Sequence, residues 1–107
     1  MRFARLIPAV ALATLLPVAV FASEAKEQAD LFKKNCASCH GADGSGQTPV
    51  GKSLKIKDLH SADVQKESKE ALTKIISDGK GKMPAFKTKL NKEQIEDVIG
   101  FVHSLKK

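Results

Sequence analysis

The chain has 107 residues, 42% of them hydrophobic but only 5% aromatic, and carries a formal charge of +6. That length suits one small domain, and the charge does not argue for nucleic-acid binding, because 18 basic residues are interspersed with 12 acids and no aromatic residues alternate with them for base stacking. No period-2 run of β-branched residues and no internal repeat is present, so the fold class expected is all-α.

The first segment is a targeting signal in form. Met1 to Arg5 holds Arg2 and Arg5 and no acid, and Leu6 to Phe21 is almost wholly apolar, broken by Pro8 and Pro17. Val20-Phe21-Ala22 then suits a signal peptidase, which places cleavage between Ala22 and Ser23 and divides the chain into a signal peptide, 1–22, and a domain, 23–107. The apolar stretch falls short of the roughly 20 residues that comfortably span a bilayer, so an uncleaved anchor is the weaker reading. No Cys follows it, and lipoprotein anchoring is unsupported. Cleavage would leave 85 residues with net charge +4. Phe32, Phe86 and Phe101 would be their only aromatics, with no Trp or Tyr. So small a core needs a staple.

A first helix is expected from Ser23, a good cap, with Glu24 and Glu27 in its first turn. Ala25, Ala29, Phe32 and Cys36 fall on one face of it. That face leads into Cys36-Ala37-Ser38-Cys39-His40, two thiols three positions apart followed at once by an imidazole. This is the attachment sequence for a c-type haem. The two sulfurs can add across the haem vinyl groups as thioethers, and His40 is then held where a ring nitrogen can ligate iron. A dithiol redox motif would normally follow a strand, and none is evident. A closed zinc site needs four ligands, and His60 and His103 lie at unsuitable spacings. A structural disulfide is the remaining rival. An exported chain is where covalent haem attachment takes place in bacteria, so leader and motif agree. The haem would be the centre of the core, and the haem-free chain is expected to be largely unfolded.

Gly41 to Gly51, with four glycines and Pro49, reads as a loop wrapping the His40 side. Its resemblance to a phosphate loop is superficial, because no strand precedes it. The carbonyl of Pro49 is the expected acceptor for the second His40 ring nitrogen. Lys52 to Lys57 is expected to continue irregularly, with Leu54, Ile56 and Leu59 available as packing. Ser61 could cap a short helix over Ala62 to Lys66, and Ser68 a second from Lys69 to Ser77 ended by Asp78-Gly79. Asn91 and Gln94 form a capping-box start, after which Ile95, Val98, Ile99, Val102 and Leu105 trace one helical stripe.

Met83 is the only methionine left after cleavage. It sits in Gly79-Lys80-Gly81-Lys82-Met83-Pro84-Ala85-Phe86, where Pro84 keeps it out of the α region. It is therefore the expected second axial ligand, with core filling the ordinary alternative. His60 and His103 are expected to be solvated. Lys80, Lys82, Lys87 and Lys89 flank this loop and are expected to steer acidic partners.

Leu31-Phe32-x-x-x-Cys36-Ala37-Ser38-Cys39-His40-Gly41, Gly81-Lys82-Met83-Pro84-Ala85-Phe86 and Ile95-x-x-Val98-x-x-Phe101-Val102, in this order and spacing, resemble the small bacterial mono-haem class I c-type cytochromes over residues 24–107. The resemblance implies three to five helices wrapped around one haem c, His/Met ligation by His40 and Met83, and a first helix crossing the last, with Phe32 near Val98 and Phe101. Two departures stand out. Gln28 occupies the position where the family often has a glycine at that crossing. No Trp, Tyr or Arg is available for the haem propionates, leaving Gln47, Lys52 or backbone. The function implied is a monomeric, periplasmic electron carrier, not an enzyme. Its partners would be redox proteins with acidic docking surfaces: a bc-type complex, a terminal oxidase, a peroxidase or a reaction centre. The alternative is a haem subunit of a larger assembly, or a gas-binding or sensing haem protein with an open sixth site.

Overall fold

The computed structural model describes residues 2–14 and 19–107. Among these residues the chain is all-α: α1 (Ala19–Asn35), α2 (Ala37–His40), α3 (Pro49–Leu54), α4 (Ala62–Gln65), α5 (Lys69–Asp78) and α6 (Lys92–Ser104). The count exceeds three to five because α2, α3 and α4 are only 4, 6 and 4 residues long. Residues 15–18, inside the apolar run assigned to the signal peptide, lie outside the described residues. No helix among the described residues is long and apolar enough to cross a membrane.

The frame is α1, α5 and α6. Their facing stripes supply Phe32, Leu72, Ile76, Ile95, Val98, Ile99 and Val102 to one core, joined by Phe86 and Leu90 from the segment between α5 and α6. Phe32 and Val98 are the largest side chains fully buried, at 1% and 2% exposure. The Phe32 and Phe101 rings lie 4.5 Å apart, tilted by 33°, so the first and last helices cross as the family resemblance implied. The room that Gln28 removes on α1 is restored on α6. A Cβ added at Gly100 would sit 2.8 Å from the Gln28 amide nitrogen, so the small residue has changed helices while the close approach is kept.

Cap chemistry fixes the starts of α5 and α6, and of α3 described below. Asn91 accepts from the Gln94 backbone N–H at 2.8 Å, and the Asn91 N–H donates to the Gln94 side chain at 2.9 Å, which completes a capping box. The Ser68 hydroxyl accepts from Ala71 at 3.1 Å. Ser61 stands at the N-cap of α4, but its hydroxyl is buried without a hydrogen-bond partner. Two boundaries differ from expectation. Ser23 does not begin α1; the helix runs through it from Ala19, because no Gly or Pro lies between Pro17 and Ser23 to stop it. Ala25 is exposed, Ala29 is half-buried, and the stripe is fully buried only at Phe32. The stretch from Pro49 is helical rather than irregular. Thr48 caps α3 with Pro49 in its first turn, and the helix stops at Lys55, held left-handed at φ 54°.

The small helices are tied to the frame by polar bonds. The Gln65 amide donates to the carbonyls of Leu59 at 2.7 Å and Val102 at 2.8 Å, joining α4 to the end of α6. The Leu59 N–H donates to the Gly44 carbonyl at 2.8 Å, which fastens the glycine-rich loop beneath them.

Candidate functional site

The chain leaves α1 at Asn35, breaks at Cys36, where φ is −122°, and enters α2. The Cys36 N–H donates to Phe32 O at 2.8 Å, and the His40 N–H donates to Cys36 O at 2.9 Å. Cys36 and His40 therefore stand four residues apart on one face. Both line a cleft of about 240 Å³, and Met83 lines the same cleft. Cys39 is half-buried and is not part of that lining; the two cysteines are not joined in a disulfide. Phe32, Leu72, Ile76 and Val98 supply the apolar walls. A thiol, an imidazole and a thioether facing apolar walls, with the second thiol of Cys39 next to His40 in the chain, fit a covalently attached haem.

Met83 is held by a tight turn. Its N–H donates to Lys80 O at 3.0 Å and its carbonyl accepts from Lys80 N–H at 3.1 Å, with Gly81 turning the corner at φ 57°. Gly79 is needed for a close approach, since a Cβ there would lie 2.6 Å from the Met83 carbonyl oxygen. Beyond Pro84, Phe86 is buried and its N–H donates to Ile76 O at 2.9 Å, anchoring the segment to α5.

Burial sets the electrostatics. It lowers the pKa of His40, favouring the neutral ring that can ligate a metal, and it pushes the Cys36 thiol up to about 11, with the neighbouring Cys39 a lesser cause. His40 Nδ1 is buried without a hydrogen-bond partner. The Pro49 carbonyl therefore does not serve as its acceptor: Pro49 opens α3, where carbonyls point along the helix toward later amides. The charged groups at the cleft are Lys57, Lys80, Asp63 and Glu67, so Gln47 and Lys52 are not the polar side chains closest to it. Of the lysines expected to ring the site, only Lys80 lines it. Lys87 lies 4.0 Å from Asp78, and the Lys89 ammonium stands 5.6 Å from the centre of the Phe86 ring, because the anchored Phe86 carries both toward α5.

The other histidines lie outside this cleft, partly exposed, and each has a polar neighbour. His60 Nδ1 is 2.6 Å from Asp58 Oδ1, and His103 Nε2 is 3.2 Å from the Glu67 carbonyl. A larger cleft, about 620 Å³, opens between the start of α5 and the start of α6 and is crossed by Lys69 and Glu96 at 3.6 Å. Its walls carry no thiol, thioether or imidazole, so the redox chemistry does not belong there. Among the described residues, no group of three His, Cys, Asp or Glu side chains is placed to hold a metal ion.

Some of the supporting residues escaped sequence reasoning. Thr48 donates its hydroxyl proton to Cys39 O at 2.7 Å and accepts from Gly51 N–H at 2.8 Å. The signal was present, since Thr followed by Pro is a helix start, but the surrounding glycines masked it.

Comparison with known proteins agrees with this geometry. The family described as cytochrome C oxidase, cbb3-type, subunit III matches residues 23–102. A cytochrome c6 of Nostoc sp. is 42% identical over 81 residues, spanning 76% of this chain and 70% of that protein. A cytochrome c6 of Leptolyngbya boryana is 42% identical over 72 residues, spanning 67% and 81%. Among solved structures, the KustC0563 c-type cytochrome superposes with a TM-score of 0.69 at 32% identity, covering 75% of this chain and 98% of that one.

Proposed function

The chain belongs to the small mono-haem class I c-type cytochromes, and from that premise we propose a one-electron carrier whose haem c is attached through Cys36 and Cys39 and ligated by His40 and Met83. The observation that carries the reading is the convergence of Met83 and His40, 43 positions apart, on one apolar cleft. Haem, when bound, supplies an iron that gains and loses one electron without making or breaking bonds to a substrate. The protein's part is to hold both ligands still. Burial keeps His40 neutral, and the Lys80–Met83 turn together with the Phe86 anchor fixes the thioether. Apolar walls exclude water, which favours the less charged reduced state. With His40 and Met83 both holding the iron, no position would be left for a substrate or gas, which supports a carrier over a catalyst or sensor. Lys57 and Lys80 are the cations placed to meet the haem propionates.

The partners proposed are redox proteins with acidic docking surfaces, such as a bc-type complex, a terminal oxidase, a peroxidase or a reaction centre. The family description names an oxidase subunit, while the cytochrome c6 relatives match over most of their own length, which favours a separate carrier over a fixed subunit. Export to the periplasm with loss of residues 1–22 is part of the same proposal, supported by the basic and apolar leader and by a family match that starts at residue 23. An absorption spectrum of the purified holoprotein tests the core of the reading. Low-spin bands with a weak Met-to-iron band toward the red are expected; a high-spin spectrum that shifts on adding carbon monoxide would overturn it.

A further inference from the structure

We propose that Thr48 sets the orientation of the axial imidazole of His40, acting as a positioning residue through the peptide that joins Cys39 to His40. The proposal rests on His40 being an iron ligand. That peptide is held from both edges. Its N–H, belonging to His40, donates to Cys36 O at 2.9 Å. Its carbonyl, belonging to Cys39, accepts from the Thr48 hydroxyl at 2.7 Å. Two bonds on opposite edges of a planar group stop it from rotating about its Cα–Cα axis. Rotation would change ψ of Cys39 and φ of His40, and with them the directions of the thioether and of the ring.

Helix α2 cannot supply this restraint alone. With 4 residues it ends before the Cys39 carbonyl could reach an amide in its own ladder. Its neighbours are provided for, since Ala37 O accepts from Gly41 at 2.9 Å and His40 O from Gly46 at 2.7 Å. Thr48 itself is pinned, because its oxygen also accepts from Gly51 N–H at 2.8 Å as the cap of α3. Gly51 makes the approach possible: a Cβ there would lie 2.6 Å from Cys39 O and 2.2 Å from Gly46 O. The restraint sets the direction in which the His40 side chain leaves the backbone, and the Phe32 ring stands 6.2 Å from the imidazole.

The test compares Thr48→Val and Thr48→Ser in the holoprotein by proton NMR of the ferric form. The spread and order of the haem-methyl shifts report the in-plane direction of an axial imidazole, because unpaired spin follows its π system. Thr48→Val should reorder the methyl resonances or narrow their spread, and Thr48→Ser should keep the original pattern. Ser68→Ala is the control, since it removes a comparable cap from α5 with no bond to the haem-bearing segment. An unchanged pattern in Thr48→Val, or an equal change in Ser68→Ala, overturns the proposal. If Thr48→Val does not take up haem, Thr48→Ala is read in the same way. In the original protein the Gly51 amide must exchange slowly with solvent deuterium; exchange as fast as an exposed amide also overturns it. Absence of an axial imidazole from the original spectrum would instead refute His40 ligation, whatever Thr48 does.

Discussion

Replacing Met83 separates the carrier from a gas-binding haem protein, because the two readings differ only in whether that thioether occupies iron. Met83→Ala should abolish the red-edge band and let carbon monoxide or cyanide bind; a spectrum and ligand affinity like the original would remove Met83 from the site. Met83→His should keep a low-spin haem at a lower reduction potential, since a thioether raises the potential relative to imidazole. Lys55 gives a prediction of a different kind. It is a non-glycine residue with φ 54°, a conformation costing an L-residue about 1–2 kcal/mol. Lys55→Gly should therefore stabilise the protein by about 0.5–1 kcal/mol after the added flexibility of the unfolded chain is subtracted, as read by denaturant titration. That Cys36, His40 and Met83 belong to one site was legible in the sequence from side-chain chemistry and local spacing, and the structure brings these three to one cleft. Thr48, Gly51 and Lys57 were not legible, because what they touch is decided by how α3 and the following segment fold back.

Helix boundaries were legible where a cap has reciprocal partners and obscure where it does not. Asn91 and Gln94 announced α6 three residues apart, and the apolar stripe from Ile95 to Val102 is buried as its period required. Ser23 looked like a cap but had no sequence feature to stop a helix before it, and α1 runs through. The crossing of α1 and α6, with Phe32 near Phe101, followed from the family resemblance. Its compensation at Gly100 was not, since only the register of one helix on the other shows which residue faces Gln28. Phe32→Ala tests how much this crossing contributes. Phe32 is 1% exposed and packed on Phe101, so a loss of about 3–5 kcal/mol is expected in denaturant unfolding of the holoprotein. A loss below about 1 kcal/mol would mean that the crossing is not a structural keystone.

Across the whole molecule, charge decides behaviour toward partners and toward acid. Electron transfer to an acidic partner should slow as salt rises, because exposed charges are screened over about 8–10 Å at ordinary ionic strength. Lys80→Gln should remove more of that salt dependence than Lys89→Gln, since Lys80 lines the cleft and Lys89 lies over Phe86. Stopped-flow rates that rank the two the other way would refute this. The Asp58 carboxyl is held below the ordinary 3.8 by hydrogen bonds from the His60 backbone and ring, and Asp43 is lowered by the Ser45 backbone and hydroxyl. A depressed carboxyl pKa contributes stability that is complete above its unfolded value and lost as pH falls through its folded one. Asp58→Asn should therefore lower the melting temperature at about pH 6 and narrow the gap between about pH 6 and about pH 3, above and below the ordinary carboxylate range; an unchanged gap would show that the His60 pairing does not matter. The exposed opening turns of α1 bear on maturation. From Phe21 to Glu27 every residue faces solvent, and the packing against α6 begins only near Gln28 and Gly100. A helix end that rests on no neighbour melts and re-forms readily. Under the proposed export, a processing protease, which must draw its target into an extended strand, would unwind and cut this end without prying the terminal helices apart, so trimming and closure of the core would need no fixed order.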